Sequence, residues 1–452
     1  MKKPFCIDID NVITISSLAH KFMLNEGVYD NIGQLAGVPR AFIQKCLVGG
    51  RCMSRDNEKC CLKGRINDFD AVSLYPSAMV RLGGYLQGAP KVLEKLTYAF
   101  LSKCDGYFVR IKINKINNNL HFPLLSRITD QGIRLFDNVC GEYYVDKIQL
   151  EDLIEFHDIE FEVLQGYYYD EGRNCIINKV IRKCFDERLK MKKVGNPLQL
   201  VYKLLMNSCY GKTIMKPHAT EIRIIDTTEK MKEYVAINFN MIKEFTQIVG
   251  SDKWKMKIYK PIDQHFTYNC VGVEVLSMSK RIMNEVIATA EQNDLKIYYQ
   301  DTDSIHIEDE DLTPLIKIYE EKYGRKLVGK DLGQFHSDFD MKGCKDIYSE
   351  ECIILGKKCY IDKLVGTDKE GVKHYDYHLR MKGVPNKSIL HCAAKYFNGN
   401  VIKLYQSLYK GDKLPFDLLC KDEQGTSHRT QFTFNKDYTI NTTQHFIREL
   451  QF

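Results

Sequence analysis

Residues 298–307, which read YYQDTDSIHI, carry two carboxylates in the middle of an apolar and aromatic run. The flanking residues are typical of β-strands, and the short acidic tip between them predicts a hairpin over 296–308. We expect Asp301 and Asp303, two positions apart, to share one face of an extended chain. Two carboxylates held this close repel each other unless a cation lies between them, and hard oxygen ligands suit Mg²⁺. The stretch therefore predicts a divalent-cation site, with an acidic surface turn as the alternative.

A third acidic position lies far upstream. Residues 67–77 read NDFDAVSLYPS, in which an apolar-flanked strand ends near Asp70 and Pro76 is placed to open a helix. A single aspartate at a strand end is usually a cap, so this segment is a weak signal by itself. It gains weight only together with the acidic hairpin.

Positive charge concentrates in one region of the chain. The formal net charge is +6, and residues 181–216 hold nine basic against two acidic side chains. A helical pattern over 178–194, a Gly-Asn-Pro turn and a second helical pattern over 198–209 predict an antiparallel helical hairpin. Such a basic stripe suits a polyanion, although charge alone more often marks a solvated helix face.

The second helix of this hairpin has an unusual polar face. Lys203, Asn207 and Tyr210 are spaced four and three residues apart, so they share one side of a helix. This combination suits a phosphate bound by the lysine beside a base or sugar stacked on the tyrosine. On the first helix, Arg188 and Lys192 are four residues apart and add two cations.

Length and composition exclude several classes of protein. The chain has 452 residues, of which 44% are hydrophobic and 27% charged, which argues against a disordered or collagen-like chain. No apolar run approaches the roughly 18 residues of a membrane span, and early acidic residues argue against a secretory signal. Sixteen cysteines are too dilute for a disulfide framework, so we expect reduced thiols in an intracellular protein.

The segments described so far resemble the motifs of family B DNA polymerases, in the family's order. Motif A is matched by Asp70-x-x-Ser-Leu-Tyr-Pro, motif B by Lys203-x-x-x-Asn-Ser-x-Tyr-Gly and motif C by Tyr299-x-Asp-Thr-Asp-Ser. Lys358-Cys-Tyr360 resembles the family's Lys-x-Tyr motif, and the VGGR of residues 48–51 resembles its Gly-Gly loop. The resemblance is closest to the protein-primed, viral and organellar branch.

This resemblance implies an α+β fold of the right-hand polymerase type, with a palm, helical-hairpin fingers and a thumb. Analogy with the family also links the insertion between motifs B and C to strand displacement and processivity. In chain order, the expected domains are an exonuclease-to-polymerase linker with the Gly-Gly loop (1–65), a first part of the palm with motif A and an insertion (66–178), fingers with motif B (179–216), the insertion between motifs B and C (217–270), a second part of the palm with motif C and the Lys-x-Tyr motif (271–375), and a thumb (376–452).

The resemblance further implies attack of a primer 3′-hydroxyl on the α-phosphate of an incoming deoxynucleotide, assisted by two Mg²⁺ ions that Mn²⁺ can replace. Asp70, Asp301 and Asp303 would be catalytic. Asp70, Asp303 and the Ala71 carbonyl would bind the metals, and Asp301 would support them. Tyr75 would exclude a 2′-hydroxyl. The implied nucleotide contacts are Tyr75, Arg188, Lys192, Lys203, Asn207 and Tyr210. The implied DNA contacts are Gly49, Gly50, Arg51, Gly211, Lys358 and Tyr360.

The expected partners are primer-template DNA and deoxynucleoside triphosphates, with no membrane. A terminal protein as primer and a separate exonuclease chain stay open. The genome replicated would be that of a virus or a mobile element. Whether this takes place in the host cytoplasm, the nucleus or an organelle also stays open.

The N-terminal region departs from the family pattern. Family B enzymes usually carry an Asp-x-Glu exonuclease motif, and the nearest match here, Asp8-Ile9-Asp10, has the wrong second acid. About 35 residues separate it from the Gly-Gly loop, too few for a domain of about 100 residues. We therefore expect no 3′–5′ exonuclease activity, from either a polymerase-only protein or the C-terminal part of a split or truncated enzyme.

Two other functions compete with this interpretation. The first is a degenerate replication factor that binds primer-template DNA without synthesis. The joint presence of the three aspartates and Lys203 argues against it, because drift should have removed at least one of them. The second is a reverse transcriptase, but the Asp-Thr-Asp and Ser-Leu-Tyr-Pro segments resemble family B instead.

Two further signals receive little weight. Cys46, Cys52, Cys60 and Cys61 precede motif A, but they lack the paired spacing of zinc sites. His306 follows the acidic tip, and a lone histidine on a strand is more often packed than catalytic.

Overall fold

The computed structural model describes residues 14–215 except 131 and 133, together with residues 220–260, 267–421 and 427–433. From residue 417 onward it describes the backbone alone. The exonuclease-like acids Asp8 and Asp10 lie outside the described residues. None of the described helices combines the length and the apolar character that crossing a membrane requires.

Helices and strands alternate irregularly along the described chain, so the fold is mixed α+β, as expected. The α-helices are α1 (Ile15–Asn25), α2 (Gly37–Lys45), α3 (Leu74–Arg81), α4 (Tyr98–Leu101), α5 (Lys147–Asp152), α6 (Ile176–Lys193), α7 (Leu198–Ser208), α8 (Thr228–Asn238), α9 (Asn269–Glu291), α10 (Asp309–Tyr323), α11 (Asn386–Phe397) and α12 (Val401–Lys410). The strands are β1 (Cys52–Ser54), β2 (Cys60–Ala71), β3 (Tyr85–Leu86), β4 (Lys91–Val92), β5 (Gly106–Ile116), β6 (Ser126–Ile128), β7 (Arg134–Phe136), β8 (Gly141–Asp146), β9 (Ile159–Tyr169), β10 (Arg173–Asn174), β11 (Thr220–Ile225), β12 (Ile242–Gln247), β13 (Trp254–Tyr259), β14 (Ile297–Asp301), β15 (Ser304–Glu308), β16 (Phe335–Ser337), β17 (Lys345–Gly356), β18 (Cys359–Thr367), β19 (Lys373–Met381), β20 (Pro415–Lys421) and β21 (Ser427–Thr433).

The chain divides into two compact units, each built from separate stretches of sequence. The first unit contains the described residues up to Leu47, together with Met79–Val109 and Leu164–Val275. The second unit contains Val48–Ala78, Arg110–Val163 and the described residues from Leu276 onward. These boundaries fall inside several of the domains expected from the sequence, so the six-domain division stays a prediction.

The second unit is built on an eight-stranded sheet. Its order is β1-β14-β15-β2-β17-β18-β19, and β16 also pairs with β2. Each of these pairings is antiparallel. The predicted hairpin over 296–308 is confirmed as β14 and β15, and β15 pairs with the strand that carries Asp70.

A helical layer supports one end of this sheet. Helix α12 buries apolar side chains at the spacing of a helical stripe, at Val401, Leu404, Tyr405 and Leu408. They share one hydrophobic core with apolar side chains of β17, β18, β19 and α11. Full burial of one such side chain contributes roughly 1.5–3 kcal/mol. This layer therefore holds the strands that carry the Lys-x-Tyr motif.

The first unit contains the predicted helical hairpin, which is confirmed as α6 and α7. Gly195, in the turn, has a φ of 66°, a left-handed conformation that glycine adopts readily. Pro197 directly precedes α7, where its fixed φ suits a helix start. The turn residues thus explain why one helix ends and the next begins within four positions.

The region predicted as an insertion, 217–270, contains a small folded module in its described part. Strands β11, β13 and β12 form a three-stranded sheet in that order. Met231 of α8 packs in one core with Met256 and Ile258 of β13. Residues 216–219 and 261–266 lie outside the described chain.

Candidate active site

The acidic tip in the second unit is a two-residue turn. Asp301 pairs with Ser304 across the hairpin, which leaves Thr302 and Asp303 as the turn residues. Thr302 has a φ of 63°, and the Asp303 N–H donates to the Asp301 carbonyl at 2.7 Å. The expectation that the two aspartates share a face of an extended chain is therefore wrong, because the chain reverses between them.

Asp70 lies beside this turn, close to the end of β2. Its strand partner is Ser304, the residue that follows the turn. The next residue, Ala71, donates its N–H to the Asp303 carbonyl at 2.8 Å. On the other side, the Nδ1 atom of His336 lies 3.2 Å from the Asp70 carbonyl oxygen. Backbone pairing of β2 with β15 thus brings motifs A and C together, although they are far apart in the sequence.

A helix follows motif A, as the sequence predicted. Strand β2 ends at Ala71 and α3 begins at Leu74. Ser73, between them, has a φ of 51°, which turns the chain sharply from strand to helix. Tyr75 is half-buried in the first turn of this helix. Tyr75 therefore lies in the first helical turn after the strand that carries Asp70.

The two aspartates of the turn have different electrostatic surroundings. The Nζ atom of Lys358 lies 2.7 Å from Asp301 Oδ1. Burial alone would lower the pKa of Lys358, but the hydrogen bond to Asp301 and the negative charges of Asp301 and its neighbours together raise it. The pKa of Asp303 is also raised, by burial first and then by the negative charge of Asp301. A cation beside Asp303 would relieve this penalty, and the carboxylate and carbonyl oxygens here are the ligands that Mg²⁺ prefers.

Tyr299 anchors the turn that carries Lys358. Its hydroxyl accepts the Lys358 N–H at 2.7 Å and lies 3.4 Å from the Cys52 Sγ atom. Lys358 has a φ of 55° in the turn between β17 and β18. Tyr360 follows on β18, with 4% of its surface exposed. From the sequence, Tyr299 had no expected role beyond its place in the motif. Only the enclosed position of its hydroxyl shows that it needs a partner.

The Gly-Gly loop lies against the acidic turn. A Cβ atom on Gly50 would lie 2.6 Å from the Thr302 Cγ2 atom, closer than real contacts allow. The Thr302 N–H donates to the Arg51 carbonyl at 2.8 Å. By contrast, a Cβ atom on Gly49 would meet nothing within 4 Å. The close approach explains why position 50 needs glycine.

Arg51 has a different place from the one its sequence predicted. Its side chain is 2% exposed, and Nε donates to Gln300 Oε1 at 2.6 Å. Nη1 donates to the carbonyls of Phe122 and Pro123, and burial lowers the pKa of Arg51 to about 10. A guanidinium enclosed in this way cannot meet a phosphate, so the expected contact with DNA is not supported. The residue ties the Gly-Gly loop to the interior of the second unit instead.

In the first unit, the polar face of α7 has the predicted arrangement. Lys203 is exposed, while Asn207 and Tyr210 are half-buried. Tyr210 keeps helical dihedral angles beyond the end of α7, with φ −73° and ψ −30°. The side chains that α7 buries are Tyr202, Leu205 and Met206, and none of the three belongs to the predicted polar face. The predicted common face is therefore confirmed.

The other predicted residues of the hairpin differ in exposure. Lys192 is exposed on α6. Arg188 is half-buried, and this burial lowers its pKa. Gly211 begins a short 3₁₀ helix, and a Cβ atom there would meet nothing within 4 Å. The hairpin by itself thus presents exposed cations next to a half-buried aromatic ring.

Comparison with known proteins decides the family. The family described as "DNA polymerase type B, organellar and viral" matches residues 1–307, a span that contains all three motifs. The chain belongs to this family of type B DNA polymerases. Its curated homologues are DNA polymerases, as the resemblance predicted.

Two relatives show how much is shared. A protein of Ascobolus immersus named "Probable DNA polymerase" is 23% identical over 85% of this chain and 30% of its own length. The DNA polymerase of Bacillus phage Nf is 24% identical over 72% of this chain and 53% of its own length. The chain thus spans only 30% to 53% of the length of these relatives.

Solved structures agree on the fold. Phi29 DNA polymerase complexed with primer-template DNA superposes with a TM-score of 0.61 at 17% identity, over 94% of this chain and 68% of that chain. The complex of the same polymerase with primer-template DNA and incoming nucleotides gives a TM-score of 0.61 at 16% identity, with the same coverage. The fold of this type B polymerase chain is therefore mixed α+β and similar to that of phi29 DNA polymerase.

Proposed function

We propose that the chain is a DNA-directed DNA polymerase that adds deoxynucleotides to a primer 3′-hydroxyl. The observation that carries this proposal is the backbone pairing of motifs A and C, which brings Asp70 next to the turn that holds Asp303. The family membership supports it, as do the primer-template DNA and nucleotides named for the similar phi29 structures. Extension of a primed DNA strand in the presence of Mg²⁺ tests it.

The carboxylates of Asp70 and Asp303, with the Ala71 carbonyl, would hold the divalent ions. When bound, a pair of Mg²⁺ or Mn²⁺ ions activates the attacking hydroxyl and stabilises the charge on the leaving group. The chain itself fixes Asp70 on β2 and Asp303 in the adjoining turn, so little reorganisation is needed. Asp301 is engaged by Lys358, and we assign it the role of holding this lysine rather than binding metal directly.

We assign Lys358 to the primer terminus. Half of its side-chain surface is exposed, and the bond with Asp301 keeps it positively charged. Tyr360 exposes little surface to DNA, and we assign it the role of packing beneath β18 so that the turn with Lys358 keeps its position. Gly49 is exposed, and we assign the Gly-Gly loop to the template through its backbone.

The basic hairpin of α6 and α7 supplies the nucleotide contacts in this proposal. Lys203 neutralises the triphosphate with Arg188 or Lys192, while Asn207 and Tyr210 meet the nucleotide and its base pair, and Gly211 lies next to the DNA. The hairpin corresponds to fingers, the eight-stranded sheet to a palm and the C-terminal helices to a thumb. The family described as organellar and viral and a relative from a phage support a viral genome as the template. A mobile element as the template and priming by a terminal protein stay open.

Lys203→Ala should lower kcat/KM for the incoming nucleotide by about 30-fold, which corresponds to roughly 2 kcal/mol of transition-state stabilisation. The cation meets both the ground-state triphosphate and the charge that grows during transfer, so KM rises and kcat falls. Steady-state extension over a nucleotide titration measures both. Lys193→Ala, at an exposed position of the same hairpin, is the matched control. A large loss of DNA affinity with unchanged nucleotide kinetics would favour a plain DNA-binding stripe.

Gly50→Ala should slow primer extension by about tenfold, because the added methyl displaces the turn that holds Asp303. Gly49→Ala, with open space around it, should keep the parent rate within about twofold. Thr302→Ser removes the opposing Cγ2 atom and should restore most of the rate of Gly50→Ala. Equal rates for both glycine variants would show that the close approach does not constrain the turn.

A further inference from the structure

A buried group of metal-binding side chains lies within the sheet of the second unit. The ligand atoms of His306, Cys352 and Asp362 all lie within 4.8 Å of one another, and the three residues are fully buried. They come from β15, β17 and β18, and His378 of β19 adjoins them. These four residues are called the His306 cluster below. The packed position of His306 agrees with the expectation from the sequence. Its neighbours Cys352, Asp362 and His378 could not be predicted from the sequence.

We propose that the His306 cluster is a structural zinc site, separate from the catalytic metal site. The ligands are His306 Nε2, Cys352 Sγ and Asp362 Oδ2. His378, which adjoins Asp362 from β19, would take the fourth position after a shift of its ring toward the other three ligands. His306 Nε2 lies 3.2 Å and His378 Nδ1 lies 3.5 Å from Asp362 Oδ2. A tetrahedral zinc ion with bonds of 2.0–2.3 Å separates its ligand atoms by roughly 3.3–3.8 Å. The two distances to Asp362 Oδ2 therefore already approach those around a bound ion, and Cys352 Sγ lies within 4.8 Å of the His306 and Asp362 ligand atoms.

Buried polar atoms that lack a hydrogen bond support the proposal. Asp362 Oδ1, His378 Nδ1 and His306 Nδ1 are buried and make no hydrogen bond among the described residues, although each of the two nitrogens lies within ion-pair distance of a carboxylate oxygen. Such atoms are rare in native proteins and point to an ion or a water at the site. Asp68 pairs with His306 across β2 and β15, and its Oδ1 lies 3.7 Å from His306 Nδ1. Zinc-binding histidines commonly direct their second nitrogen at a carboxylate in this way.

Two buried carboxylates also require a compensating positive charge at the cluster. Asp68 and Asp362 are 2% and 0% exposed. Among the ion pairs of the described residues, these two carboxylates face only the imidazoles of His306 and His378. Buried carboxylates need a compensating positive charge, which a proton on the imidazole or a divalent ion supplies. The Cys352 thiol favours the ion, because thiolate, imidazole and carboxylate together form a zinc ligand set.

The position of the cluster gives the ion a structural role. Strands β15 and β18 are separated in the sheet by β2 and β17, yet His306 and Asp362 meet, so the sheet is strongly curved here. The ring of Tyr360 lies 5.1 Å from that of His306 and 5.7 Å from that of His378. An ion at this point would fix the curvature beneath the Lys-x-Tyr motif. His306, Cys352 and Asp362 are fully buried, so they leave no position for a substrate, as in closed structural sites.

Zinc content tests the proposal without reference to polymerase activity. The full chain, produced without a polyhistidine tag in zinc-supplemented medium and then desalted, should contain about one zinc per chain by plasma mass spectrometry. Cys352→Ser should reduce this to less than about 0.2 per chain. Cys359→Ser alters an equally buried thiol on β18 that lies in the hydrophobic core, and it should retain the zinc. Asp303→Asn should retain it too, which separates the cluster from the catalytic site.

Two further measurements keep the test decisive if Cys352→Ser does not fold. The Co²⁺-loaded parent should show a thiolate-to-metal charge-transfer band in the near ultraviolet, which reports the sulfur ligand directly. A zinc-selective chelator should lower the Tm of the parent, because the ion binds the folded state. Less than about 0.1 zinc per chain in the folded parent, or zinc content equal in the parent and Cys352→Ser, would overturn the site. The cluster would then be a buried ion pair with a protonated His306.

Discussion

Asp303→Asn should lower nucleotide incorporation by on the order of 10³-fold while binding of primer-template DNA stays within about twofold of the parent. The amide keeps the shape of the side chain but loses the negative charge that a metal ion requires. Single-turnover primer extension measures the first quantity, and fluorescence anisotropy with labelled primer-template DNA measures the second. Near-normal extension by this variant would contradict the assignment of Asp303 as a metal ligand.

The structure separates this loss of activity from a loss of stability. Burial and the charge of Asp301 raise the pKa of Asp303, so in the absence of metal its ionised form destabilises the folded state above its unfolded pKa. A neutral amide removes this cost, and the Tm of metal-free Asp303→Asn should equal or exceed that of the parent. Asp340→Asn, at an exposed position of the same unit, should change neither activity nor Tm.

Tyr75→Ala should reduce discrimination against ribonucleotides by about 100-fold. Tyr75 lies in the first turn of the helix that follows Asp70, where a bulky ring would meet a 2′-hydroxyl on a nucleotide bound at the metal site. Replacing the ring with a methyl group opens that space. The ratio of kcat/KM for a deoxynucleotide to that for the matching ribonucleotide measures the effect.

Tyr75→Phe is the matched control, since it keeps the ring and removes only the hydroxyl. It should preserve the discrimination of the parent within a few-fold. If Tyr75→Ala selects sugars as well as the parent does, another side chain is the steric gate.

Local parts of the site could be predicted from the sequence. The hairpin of β14 and β15, the strand that ends beside Asp70 and the α6–α7 hairpin all follow from residue periodicity and from turn residues such as Gly195. These signals act over a few positions, so they require no knowledge of the rest of the chain. The common face of Lys203, Asn207 and Tyr210 was predictable for the same reason.

The parts that depend on distant partners could not be predicted. The resemblance implied that Arg51 contacts DNA, but its side chain is buried, and its guanidinium donates to Gln300 and to two backbone carbonyls. Thr302 adopts a positive φ in the acidic turn, and a threonine in the sequence does not predict this backbone conformation. The His306 cluster collects residues from four strands, so no local spacing marks it.

Primer extension by the isolated chain tests the central claim most directly. On a primed single-stranded DNA with Mg²⁺ and all four deoxynucleotides, we expect templated elongation that Asp303→Asn lacks. A primed RNA template should not be copied, because the motifs match polymerases that copy DNA. No elongation with either Mg²⁺ or Mn²⁺, by a folded chain that binds the same primed DNA, would contradict the proposed function.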